Sequence, residues 1–135
     1  MLQEQPLAAS LFGEGVTVLD GRAVQLTWQE HRILSWTPDG LVRTANRRYP
    51  FEGWGLTTNG RALIASDGSA TVRWLDPVTL KVRRSIRVHD GARTITRINE
   101  LELVDGVLWA NVWQSDRIAL IDPADGHVRA WVDCA

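Results

Sequence analysis

The chain has 135 residues, with 15 basic and 16 acidic side chains for a formal charge of −1 and a pI near 6.3. This is the size of one domain, and the absence of any polybasic block argues against nucleic-acid or membrane-surface partners. The one cysteine, Cys134, rules out an internal disulfide and a cysteine-built zinc site, and no apolar run approaches the ~20 residues of a membrane helix. Residues 1–10 lack the basic and apolar regions of a signal peptide and are not expected to act as one. Seven tryptophans stand against one tyrosine and two phenylalanines, and all the basic residues but Lys81 are arginines.

In chain order, the first unit reads as four short strands, VTVLD, AVQLTW, RILSWT and LVRTAN, over 16–46. GLTTN, ALIASD, TVRWLD and VRRSIRV form a second unit over 55–88, and LELVD, VLWANVW, RIALID and VRAWVD a third over 101–133. Val, Ile, Leu, Thr and Trp dominate these runs, and turn residues break them at strand-like intervals. No helical periodicity persists.

Two sets of landmarks give one period. The turn dipeptides Asp20-Gly21, Asn59-Gly60 and Asp105-Gly106 are 39 and 46 residues apart, and so are Pro38, Pro77 and Pro123 of a second turn. Four antiparallel strands per repeat of this length is the blade of a β-propeller, so the fold class is all-β with about three blades, at 14–46, 53–88 and 99–133. Propellers typically close with about four to eight blades. The chain is therefore expected to be part of a larger ring, the favoured reading, or to complete a ring by self-association.

A scaffold repeats, whereas a site need not. Six residues before each turn dipeptide, at the mouth of the first strand, stand Glu14, Gly53 and Asn99, with Trp54 following Gly53. Eight residues after the start of each dipeptide stand Trp28, Asp67 and Trp113. A hairpin of this length brings those two ends together, so Glu14, Trp28, Trp54, Asn99 and Trp113 are expected on one face of the ring. Indoles supply flat apolar walls, a π-face for a cation and an N–H donor each. A carboxylate among them can be desolvated into the range useful for proton transfer, and an amide can polarise a carbonyl. An amine- or amide-bearing small ligand, or a sugar, suits such a face.

Blander readings stand beside these. A strand tryptophan more often packs than binds. Glu14 reads equally as a solvated turn residue and Asn99 as a backbone cap. Trp36, Trp74 and Trp131 read as packing, Asp67-Gly68 as a turn, and Arg83, Arg84 and Arg87 as a solvated outer strand. His31, His89 and His127 lie far apart in the sequence with no ligand spacing and read as surface residues.

Six segments together, from about Leu11 to Asp133, resemble the plant/bacterial-type glutaminyl cyclases. They are Phe12-Gly13-Glu14-Gly15, the Trp28 strand, Glu52-Gly53-Trp54-Gly55-Leu56, Ser66-Asp67-Gly68, Asn99-Glu100-Leu101-Glu102 and Trp109-Ala110-Asn111-Val112-Trp113. The resemblance implies a five-bladed propeller that converts an N-terminal glutamine of a peptide to pyroglutamate with release of ammonia, without metal or other cofactor. It implies Glu14 as the proton-shuttling acid and Asn99 as the substrate-orienting amide. It also implies Phe12, Trp28, Trp54 and Trp113 as the substrate-binding wall. Further pocket residues of that family, a lysine among them, belong to other blades, and Lys81 lies in an outer turn where it cannot replace that lysine. Relatives of the family are commonly exported. The competing classes are a binding module holding a peptide terminus or sugar on the tryptophan face, and a scaffold for protein partners.

Overall fold

The computed structural model describes residues 2–135, which form strands and turns without a helix. The first sheet comprises β1 (Gly13–Leu19), β2 (Arg22–Thr27), β3 (Arg32–Trp36) and β4 (Arg43–Arg48). The second comprises β5 (Leu56–Thr58), β6 (Leu63–Ser66), β7 (Thr71–Leu75) and β8 (Val82–Arg87). A two-stranded ribbon, β9 (His89–Asp90) and β10 (Arg93–Thr94), follows. The last sheet comprises β11 (Ile98–Val104), β12 (Val107–Val112), β13 (Arg117–Ile121) and β14 (Val128–Asp133). Each four-stranded sheet is an antiparallel meander in chain order. The first strands β1, β5 and β11 adjoin one another, as the inner strands of propeller blades do.

Stability comes from two cores, one at each junction between blades. Leu19, Leu26, Ile33 and Tyr49 of the first blade and its exit pack on Leu56, Leu63, Ala65 and Leu75 of the second. On the other side, Ile64, Val72, Trp74 and Ile86 pack on Ile98, Leu101, Leu108, Ala110 and Ile121. Strand β6 shows why its sequence is unbroken Leu-Ile-Ala-Ser: all four residues are buried. Successive side chains alternate between faces, so Leu63 and Ala65 enter one core and Ile64 the other. The fourth strands are largely exposed. Val16, Val18 and Val104, on the inner strands of the first and third blades, are also open to solvent.

Close approach of the inner strands depends on glycine. A Cβ on Gly55 would lie 2.1 Å from the backbone oxygen of Asn99, and one on Gly15 would lie 2.5 Å from the backbone nitrogen of Leu56. Ser66, fully buried, ties the same junction: its hydroxyl accepts from Gly55 N (2.8 Å) and donates to Asn99 O (2.7 Å).

The turns correct one expectation. Asp20-Gly21 and Asp105-Gly106 are two-residue hairpin loops, each with both residues at positive φ, as a tight hairpin turn requires. Asn59-Gly60 is instead part of a four-residue loop, because the Asn59 side chain accepts from Arg61 N and Ala62 N and takes the place of a ladder pair. The corresponding hairpin pairs are Val18↔Ala23, Thr58↔Leu63 and Leu103↔Leu108. Counting back from them aligns Glu14 with Trp54 and Asn99, and Trp28 with Gly68 and Trp113. Gly53 and Asp67 are thus one residue out of register with the positions that turn spacing assigned them.

The histidines are surface residues as expected, His31 and His127 exposed and His89 half-buried, but two of them are neighbours. A parallel bridge joins His89 to His127 and places their rings 5.5 Å apart, although 38 positions separate them in the chain. No group of three or more metal-ligating side chains occurs among the described residues.

Candidate active site

The inner strands of the first and third blades carry the same irregularity. The register of β1 against β2 shifts between Gly13 and Val16, and that of β11 against β12 shifts between Ile98 and Leu101. Each shift is a one-residue β-bulge, a device that bends a strand and re-aims a side chain. Glu14 and Asn99 occupy these bulges. In the second blade the backbone N of Trp54 donates to Ser66 O (3.3 Å), and Ser66 N donates to Gly55 O (3.1 Å). One equivalent position in three blades therefore supplies a carboxylate, an indole and an amide.

These three groups and Phe12, Trp28 and Trp113 line a single cleft of 610 Å³. All six residues singled out in the sequence are brought together. The aromatics form two edge-to-face pairs, Phe12–Trp28 at 6.0 Å and Trp54–Trp113 at 5.8 Å between ring centroids. The cleft is open. Phe12 is 58% exposed, Trp28 39% and Trp113 47%, an uncovered aromatic wall of the kind that marks a binding site.

Each wall is held from behind. Backbone N of Trp28 donates to Phe12 O (3.0 Å), and Phe12 N donates to the Glu30 carboxylate (3.0 Å). Trp113 N donates likewise to Arg97 O (2.9 Å). The Trp54 indole N–H donates to Glu52 Oε2 (3.1 Å), fixing the ring plane. Among the described residues, neither the Glu14 carboxylate nor the Asn99 side-chain amide has a hydrogen-bond partner, so both are free to meet a ligand.

The Glu14 carboxyl is held above the ordinary carboxylate range. Burial is the main cause, and the negative charges of Glu100 and Glu30 add to it. Asp67 behaves in the opposite way. Burial pushes it up, but hydrogen bonds from Ser69 and Arg73 outweigh this and hold it below the usual range. Arg73 also stacks 3.9 Å over Phe51, so Asp67 anchors a structural turn beside the cleft.

Sequence reasoning missed Glu30 and gave Glu52, Ser66 and Gly68, though they stand in the resembling segments, no supporting role. Ser66 left a trace, as the one hydroxyl in the apolar strand β6. Glu30 and Glu52 reach the site from loops and carry no periodic signal. Trp36 and Trp74 are buried packing residues, as expected. Trp131 also packs, half-buried, against the second core, and in addition its indole N–H donates to Asp90 (2.9 Å) and the Arg117 guanidinium lies 3.9 Å over its ring.

Known proteins share both sequence and shape with this chain. The sequence profile of the glutamine cyclotransferase family matches residues 1–135. A glutaminyl-peptide cyclotransferase of Arabidopsis thaliana is 41% identical over 126 residues, covering 90% of this chain and 38% of the relative. The crystal structure of Myxococcus xanthus glutaminyl cyclase superposes with a TM-score of 0.87 at 35% identity, covering 93% of this chain and 54% of that one. KlHsv2, carrying a Gly-Ser linker in place of its loop 6CD, shares the fold alone. Its TM-score is 0.61 at 10% identity, with 92% of this chain and 40% of that one covered. The chain thus spans about half the length of the solved cyclase and less of the curated relative. On its sequence and its blades alike, the chain belongs to the glutamine cyclotransferase family.

Proposed function

We propose that this chain provides three blades of a larger propeller ring that acts as a glutaminyl-peptide cyclotransferase. In this reading it converts an N-terminal glutamine of a peptide or protein to pyroglutamate and releases ammonia. The observation that carries the reading is the convergence of Glu14, Asn99 and three indoles on one cleft, with the Glu14 carboxyl raised.

The chemistry asked of such a site is modest. Nucleophile and electrophile belong to one molecule, so the protein must chiefly hold a folded glutaminyl terminus with the α-amine against the side-chain carbonyl carbon. The indoles of Trp28, Trp54 and Trp113 provide flat walls for the five-membered ring as it closes. As the amine nitrogen bonds to that carbon, the carbonyl π pair moves onto oxygen. In this reading the Asn99 side-chain N–H stabilises this charge. The Glu14 carboxylate takes the proton from the amine and delivers it to the departing nitrogen. The carbon–nitrogen bond of the former amide then breaks, the carbonyl reforms and ammonia leaves. A carboxyl lifted above its ordinary range is better matched to this two-way transfer than an exposed one.

The test is ammonia release on a size-resolved sample, with molar mass read by light scattering on the same peak. Release from a Gln-initiated peptide, and none from its N-acetylated form, is the expected result. No release from either, with a folded protein in the peak, would overturn the reading for this chain. A peak of two or more chains showing release would mean that association supplies the remaining blades.

A further inference from the structure

Beside the aromatic cleft lies a second one of 320 Å³, and Trp113 lines both. Its other walls come from Arg93, Thr94 and Arg97, from Gln114 and Ser115 in the β12–β13 turn, and from Arg117 and Trp131. Three guanidinium groups line it and no carboxylate does. The ion pairs found among the described residues are Arg73–Asp67, Arg83–Asp76 and Arg129–Asp122, so none of these three arginines is neutralised. Acids stand nearby in sequence or across a strand pair, but none forms an ion pair with these arginines. Asp90, which pairs with Arg93 across β9–β10, accepts from the Trp131 indole N–H, and Asp133, which pairs with Arg117 across β13–β14, accepts from Ala135 N; neither makes an ion pair with its arginine. Asp116, next in sequence to Arg117, makes no ion pair with it.

All three arginines are exposed, and two of them, Arg97 and Arg117, also make side-chain contacts. Arg97 stands at φ +61° and Gln114 at φ +61°, a left-handed conformation that costs both residues energy. Their side chains meet, with Arg97 Nη1 donating to Gln114 Oε1 (3.0 Å). The Arg97 guanidinium lies 5.9 Å from the Trp113 ring, and that of Arg117 lies 3.9 Å over Trp131. Stacked, charged and carrying free donors, such a guanidinium is suited to a carboxylate.

We infer that this cleft is a subsite for an acidic side chain at the second to fourth residue of the peptide whose terminal glutamine occupies the aromatic cleft. The inference rests on the reading of that cleft given above. An extended chain advances ~3.3–3.6 Å per residue, so a peptide leaving the aromatic cleft past Trp113 reaches Arg97 within a few residues. Arg93 and Arg117 line the same cleft, so an acidic side chain there meets three positive charges.

The test uses four peptides on the full chain: Gln-Ala-Asp-Glu-Ala, its amide counterpart Gln-Ala-Asn-Gln-Ala, and the N-acetylated form of each. Binding is followed by tryptophan fluorescence. The acidic peptides are expected to bind about tenfold more tightly than the amide ones, with or without the acetyl group. The advantage should fade in high salt and be lost in Arg97→Gln and in Arg117→Gln. Equal affinity for acidic and amide peptides, an advantage that survives both substitutions, or no binding of any peptide would overturn the subsite. Failure of the aromatic-cleft reading looks different: acetylation then leaves affinity unchanged while the acidic preference persists.

Discussion

The indole of Trp54 occupies the space that a side chain on Gly68 would need. A Cβ on Gly68 would lie 2.4 Å from Trp54 Cε2, and Gly68 is itself at φ +79°. The equivalent residue is Trp28 in the first blade and Trp113 in the third. The second blade therefore delivers its indole from the segment that leads into β5, and a glycine in the β6–β7 turn makes room for it. Gly68→Ala is expected to displace the Trp54 ring and to cost about 1–2 kcal/mol, because alanine at positive φ is strained. A changed near-ultraviolet signal of the tryptophans, with a roughly tenfold rise in KM, checks this. An unchanged signal and KM would show that Trp54 is not held by Gly68.

The acid limb of activity should belong to Glu14. In the proposed reaction the carboxylate is the form that accepts the amine proton, so activity should rise as pH rises through the Glu14 pKa. That pKa is raised by burial, then by Glu100 and Glu30. Neutralising either neighbour, as Glu30→Gln or Glu100→Gln, removes a raising influence and should move the acid limb of kcat/KM to lower pH. A pH–rate profile of each variant decides the point. A limb that stays put or moves upward would assign it to another group.

How much of this was legible in the sequence depended on which residues speak locally. Two-residue Asp-Gly turns, with both residues at positive φ, fixed the hairpins of the first and third blades, and their matching spacing revealed the repeat. The second blade misled by one position because the Asn59 side chain bonds the backbone of its own loop. That is a choice no turn dipeptide announces. Five of the cleft residues were visible because a site breaks a repeat, and Phe12 only through the family resemblance. Glu30, Glu52 and the arginine cleft were not, since they are assembled from loops and ribbon strands that have no counterpart in the other blades. The His89–His127 bridge was hidden for the same reason.

Ser66 should matter more for the position of Asn99 than for the reaction itself. Replacing it with alanine leaves Gly55 N and Asn99 O without the hydroxyl that links them. A loss of about 1–3 kcal/mol is expected, as for unsatisfied buried polar groups. Denaturant unfolding measures the loss. Rescue by Ser66→Thr would show that the hydroxyl, and not the volume, is what counts.

The carboxylates of the turns should make the fold sensitive to acid. Asp67, Asp76 and Asp122 all titrate below the ordinary range. In Asp76 the causes are hydrogen bonds from Thr79 N, Arg83 and Val78 N. In Asp122 they are hydrogen bonds from Ala124 N and Arg129. Groups with depressed folded-state values contribute stability above their unfolded value of about 3.9, and it is lost as pH falls through the folded value. Melting temperature should therefore fall below about pH 4, and Asp67→Asn should flatten that fall. An equally steep fall in the variant would place the acid sensitivity elsewhere.

Proton transfer by Glu14 is the step on which the proposed function turns. Its most direct test is the initial rate of ammonia release from a Gln-initiated peptide by the unmodified chain and by Glu14→Gln, at equal folded concentration. The two differ by one acid group at an unpartnered position, so fold and binding should be retained. A loss of about 10²–10⁴-fold in kcat, with KM little changed, is the predicted result. Equal rates in the two proteins would contradict the assignment and return the cleft to a purely binding role.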